Sequence, residues 1–213
     1  MGKYIVEFIG TFFLVLTVVV AVAKGGVMAP VAIGASLMVM IYAGGHISGG
    51  HFNPAVSVAV LLRGAMPAAD FVPYVIAQLA GGAVAALIGT QVLGIAHEIA
   101  PGFTDANGVG AVAAGVAEFL GTFALAWVVL MTATTKSNEG NSFYGLAIGF
   151  TVTAMAYGLG GISGGAFNPA VGLGANVAGM APWANLAIVA ITCLLGGAAA
   201  AMMFKVCYSG EDK

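Results

Sequence analysis

Charge is what this chain has least of. Only 7% of its residues are Asp, Glu, Lys or Arg, while 61% are hydrophobic; a soluble domain carries roughly a quarter charged residues. From Asn141 to Phe204 there is no Asp, Glu, Lys, Arg or His. A run of that kind cannot make a solvated surface, and the mean hydropathy of +1.05 agrees. A net charge of −2 offers no basic surface to nucleic acid. Cysteine is scarce too. Cys193 in an apolar run and Cys207 near the C-terminus make no disulfide framework. The three histidines, His46, His51 and His97, stand apart from both. With no metal-ligand cluster and no nucleophile–base pair, the sequence argues against an enzyme, a metal site and a cofactor.

What is abundant is apolar sequence, cut by a few polar breaks. Roughly 20 apolar residues span a bilayer. Runs between breaks predict six spans, at about 4–23, 29–46, 70–95, 111–134, 142–160 and 183–205. The first carries Glu7 and lacks a small-residue cleavage pattern, so it reads as a span and not a signal peptide. Lys3, Arg63, Lys136, Lys205 and Lys213 fall on one side and Lys24 alone on the other. An excess of Lys and Arg marks the cytoplasmic face, so both termini are expected there. The short termini point to a prokaryotic inner (plasma) membrane.

Two segments remain, 47–66 and 161–180, too short to cross. Ile47-Ser48-Gly49-Gly50-His51-Phe52-Asn53-Pro54-Ala55-Val56 returns 115 positions later as Ile162-Ser163-Gly164-Gly165-Ala166-Phe167-Asn168-Pro169-Ala170-Val171. At the same offset Ala32-Ile33-Gly34 matches Ala147-Ile148-Gly149, and Gly81-Gly82 matches Gly196-Gly197. Glu7-Phe8 recurs as Glu118-Phe119. The chain therefore divides into a first repeat, 1–110, with an outer loop at 97–110, and a second, 111–213, with a short C-terminal tail. Three spans per repeat force the second copy to be inverted. The repeated segments then dip in from opposite faces and meet near the midplane. Asn followed by Pro suits an N-cap with Pro at the first helical position, which predicts half-helices at 53–63 and 168–178.

Broken backbone at membrane depth is tolerated only where it is buried in protein or lines a cavity. Two half-helices meeting at their N-termini concentrate positive dipole there, roughly half a charge each. That field repels cations and protons, and the Asn53 and Asn168 amides would orient a permeating molecule. Gly49–His51 and Gly164–Ala166 would supply carbonyl acceptors. Glu7 and Glu118 lie inside spans, where a carboxylate is a functional candidate. Their symmetric placement favours accepting hydrogen bonds from the re-entrant backbone over proton relay. His46 is expected to bond the first loop near the cytoplasmic mouth; a pH gate is the sharper alternative. His97 and Glu98 read as solvated surface, and Asp70 and Lys205 as helix-end residues.

Two Asn-Pro-Ala motifs, Asn53-Pro54-Ala55 and Asn168-Pro169-Ala170, in inverted halves resemble the aquaporin, or major intrinsic protein, family over essentially the whole chain. The resemblance implies an all-α membrane protein with six transmembrane helices, two re-entrant half-helices, one pore per protomer and a homotetramer. It also implies a selectivity filter at Ile33, Ala156, Gly165 and Val171. Most of the family has Arg where this chain has Val171, which also resembles some plant vacuolar aquaporins associated with ammonia and urea. The Asp that often follows in glycerol facilitators is replaced by Gly172. The expected function is a passive channel for water and small uncharged solutes, in contact with membrane lipid, that excludes protons and ions. The alternatives are a facilitator mainly for ammonia, urea, hydrogen peroxide or glycerol, and an ion-coupled secondary transporter that uses Glu7 or Glu118.

Overall fold

The computed structural model describes residues 1–24, 26–104 and 108–208. Lys213 and most of the C-terminal tail, Gly25, and positions 105–107 of the outer loop lie outside the described residues. Among the described residues the structure is all-helical. Six helices are long and apolar enough to cross a membrane: α1 (Gly2–Lys24), α2 (Ala29–Ser48), α4 (Ala68–Leu87), α5 (Ala111–Ala133), α6 (Tyr144–Ser163) and α8 (Ala184–Cys207). A π-helical turn, Ile88–Val92, prolongs α4. Two short helices complete the set, α3 (Pro54–Arg63) and α7 (Pro169–Val177). At 10 and 9 residues they reach only about 15 Å, half the thickness of a bilayer core.

The spans follow the apolar runs, and their ends follow backbone chemistry. α2 and α6 run two or three residues past the sequence expectation. They take in the first two residues of the repeated motif and stop at Gly49 and Gly164. Both glycines adopt the left-handed conformation, φ 88° and 89°, and each returns its N–H to the carbonyl four residues back. Glycine at these positions lets the backbone leave the helix cheaply.

The two repeats interlock. α3 packs chiefly against α8 and α7 chiefly against α4, so each half-helix rests on the last long helix of the other repeat. Glycine makes the approach possible. A Cβ on Gly82 would meet the Ala170 carbonyl, and a Cβ on Gly197 would overlap the Ala55 carbonyl. Small residues let helix backbones approach closely where lipid gives no hydrophobic drive.

Charged side chains tie helices together at one end. Lys3 pairs with Asp70 at 2.6 Å, and Tyr4 donates to the same carboxylate, which joins α1 to α4. Asp70 is thus a partner in an ion pair as well as a helix-end residue. Arg63, at the end of α3, bonds Thr134 at the end of α5 and lies over the Phe204 ring. Lys24 and the segment around His97 lie at the opposite end, called outer below.

Candidate functional site

The two Asn-Pro turns meet at the centre of the bundle. Asn53 and Asn168 are extended at φ −159° and −163°, and each side-chain oxygen accepts the N–H two residues on, at 2.8 Å. Both are helix N-caps with proline at N1. The other end of each amide crosses over. Asn53 Nδ2 donates to the Phe167 carbonyl at 2.9 Å, and Asn168 Nδ2 to the Phe52 carbonyl at 2.8 Å. Each Nδ2 has two hydrogens, so one is taken across the junction and one is left. The two residues are only 2% and 3% exposed.

Phe52 and Phe167 aim those carbonyls by adopting φ 47°, a left-handed conformation that costs a bulky residue about 1–3 kcal/mol. Their rings offset this by complete burial: a Cβ on Gly10 or Gly121 would occupy the ring's place. Carboxylates fix the backbone just before. Glu7 accepts the N–H groups of His51 (3.0 Å) and Phe52 (2.7 Å), and Glu118 those of Ala166 (3.0 Å) and Phe167 (2.7 Å). Ser48 and Ser163 donate to the same carboxylates. Both glutamates are fully buried, so a buried acceptor is matched by several donors.

Several supporting residues were not marked as such in the sequence. Tyr74 donates to the Ser48 carbonyl at 2.7 Å, Gln78 donates to Glu7 and Ser57, and His51 Nδ1 pairs with Ser57. His46 takes no part: it is exposed on the last turn of α2, and the loop bonds run to Glu7, Ser48 and Tyr74. That expectation is corrected. The helix does not end at His46 but runs on to Ser48, and the His46 side chain is left exposed on it. Ser48 and Ser163 were legible as members of the repeat; Tyr74 and Gln78 are single polar positions inside an apolar span.

A cavity of about 520 Å³ lies beside this junction. Asn53, Asn168, Ile33, Ala156, Gly165 and Val171 all line it, so the two motif asparagines and the four residues expected to form a filter share one space. Its outer mouth includes His97, Glu98 and Met180. Burial holds the His97 imidazole below its ordinary pKa, so His97 is a lining group and not simply solvated surface. The lead-in to α7 offers oxygen only: the N–H groups of Gly165, Ala166 and Phe167 are taken by Ser163 and Glu118. Among the described residues no hydrogen bond reaches the carbonyls of Gly164, Gly165 or Ala166.

Six crossing-length helices, with two half-helices meeting head to head beside an internal cavity, define a membrane channel. The chain belongs to the major intrinsic protein family, whose model matches residues 1–204. It is similar to the glycerol uptake facilitator protein-like 6 of Lactiplantibacillus plantarum, 40% identical over 181 residues that cover 82% of each chain. It also resembles aquaporin AqpM of Methanothermobacter thermautotrophicus, 32% identical over 95% of this chain and 96% of that one. The fold matches the X-ray structure of an aquaglyceroporin from Plasmodium falciparum with a TM-score of 0.80 and 17% identity, over 98% of this chain and 96% of the other. The chain is an integral, multi-pass membrane protein of a channel family.

Proposed function

We propose that the chain is a passive channel for water and small uncharged solutes, with Ile33, Ala156, Gly165 and Val171 as its outer constriction. The observation that carries this reading is their common position, with Asn53 and Asn168, on one cavity. The four residues bring no charged group and no side-chain donor, so size, and acceptors from the backbone, set what passes. Aquaporin and glycerol facilitator relatives support both water and a larger neutral solute as cargo.

At the junction the remaining hydrogen on each Asn amide orients the permeating molecule. The N-termini of α3 and α7 oppose cations and protons by their dipoles. Pro54, Ala55, Pro169 and Ala170 shape the two turns, and Glu7 and Glu118 hold them. The functional unit is a homotetramer in a prokaryotic plasma membrane, with the Lys3 and Arg63 end in the cytoplasm, as the distribution of basic residues favours.

The test is stopped-flow light scattering on proteoliposomes, comparing water efflux with entry of urea, glycerol and methylamine. Fast water flow with entry of at least one solute supports the reading. Saturable uptake driven by a proton gradient overturns it in favour of a coupled transporter.

A further inference from the structure

The constriction proposed above takes Ile33 from α2 and Ala156 from α6, and these helices meet backbone to backbone. A Cβ on Gly34 would overlap the Thr153 hydroxyl and the Gly149 carbonyl; a Cβ on Gly149 would overlap the Gly34 carbonyl. Nothing compressible separates the two walls. Gly34 adjoins Ile33, and Thr153 lies about one helical turn from both Gly149 and Ala156. Ile33 and Leu37 on α2, and Ile148, Val152 and Ala156 on α6, line the cavity beside this crossing. Any change in the crossing distance is passed directly to the lumen.

Thr153 fills the notch that Gly34 leaves. Its hydroxyl donates to the Pro30 carbonyl of α2 at 3.1 Å and lies 3.4 Å from the Gly149 carbonyl of its own helix. The side chain is buried. Its repeat counterpart is Met38, which meets Gly149 on the inner side of the same crossing. Repeat symmetry therefore fails here in a definite way. The inner notch holds a flexible thioether; the outer notch, beside Ile33 and Ala156, holds a stiff β-branched side chain bonded across the interface.

We propose that Thr153 is a positioning residue for the outer constriction. Keyed into Gly34 and tied to Pro30, it sets the separation of Ile33 and Ala156 and so the upper size of solute that enters. This rests on the four-residue constriction described under the proposed function.

The experiment measures the glycerol-to-water permeability ratio of purified variants in proteoliposomes. Thr153→Ala empties the notch and cuts the tie to Pro30, so the outer ends of α2 and α6, beyond the Gly34–Gly149 contact, close on each other. The ratio falls about fivefold while water flow stays within about twofold, since small displacements act steeply on a close-fitting passage. Thr153→Ser keeps the hydroxyl and stays near the parent ratio. Gly34→Ala forces the helices apart and raises the ratio; adding Thr153→Ala to it returns the ratio toward the parent. If Gly34→Ala does not assemble, the Thr153→Ala and Thr153→Ser pair decides alone. Ala156→Leu is the control for the constriction itself. A ratio moved by Ala156→Leu but unmoved by Thr153→Ala overturns the role of Thr153 only. A ratio unmoved by both overturns the constriction and the proposal with it.

Discussion

Gln78 and Cys193 occupy the same place in the two repeats, yet they hold their glutamates differently. Gln78 Nε2 donates to Glu7 at 2.7 Å and also reaches Ser57, whereas Cys193 Sγ lies 3.4 Å from Glu118. Glu7 has a strong side-chain donor where Glu118 has a weak one.

Substitution at the two positions should therefore differ in cost. Gln78→Leu leaves a buried carboxylate short of a donor and should lower stability by about 2–3 kcal/mol. Cys193→Ala removes a weak donor and a small volume, about 1 kcal/mol. Thermal unfolding of the detergent-solubilised protein checks the order; equal losses would show that the bond to Gln78 carries no special weight.

Asn168→Asp keeps the oxygen that caps α7 but loses both amide hydrogens, the one given to the Phe52 carbonyl and the one left over. The new carboxylate also places negative charge where the two dipoles had left positive. Cation leak should rise and water flow should fall. A pH-sensitive dye trapped in vesicles reads the leak, and an unchanged leak would mean that the α3 and α7 dipoles suffice without the amide.

Val171→Arg puts a long cation and five donors into an apolar wall. Urea and glycerol entry should drop about tenfold or more while water flow remains measurable. An unaltered solute profile would show that Val171 does not stand at the constriction.

Gly82→Val pushes a branched side chain into the Ala170 carbonyl. Overpacking of this kind costs about 1–3 kcal/mol or more, and here it displaces α7. The expected result is poor recovery of folded protein and loss of flux in what is recovered; normal flux would mean that α4 and α7 separate freely.

Much of this arrangement is legible in the sequence, for a physical reason. Helices and caps are local, so apolar runs and the Asn53-Pro54 and Asn168-Pro169 pairs announce them. The inverted placement follows from counting spans. The paired Glu7 and Glu118 point to loop support because a symmetric pair inside the bilayer needs donors. What is not legible depends on residues far apart in sequence. The bond from Asn53 to the Phe167 carbonyl spans 114 positions, and no local signal marks Phe167 as the acceptor or gives it a left-handed backbone. Tyr74, Gln78 and Thr153 are single polar side chains in apolar helices, and only the packed structure shows what each reaches. His46 is not placed by the sequence because the apolar run thins at the repeated motif, which marks a helix end near 46, whereas the helix persists to Ser48 and stops at Gly49.

The exchange of half-helices between repeats bears on how the chain is made. Synthesis delivers α3 well before α8, the helix it packs on. Until the second re-entrant segment emerges, the Asn53 amide has no Phe167 carbonyl to reach, and until Ala184–Cys207 follows, α3 lacks the helix it packs on most. The first half of the chain thus waits, incompletely satisfied, for nearly the last segment to be translated. A ribosome-bound chain ending before α8 should be open to protease and chaperone at its first re-entrant loop, and completing the final span should close it in one step.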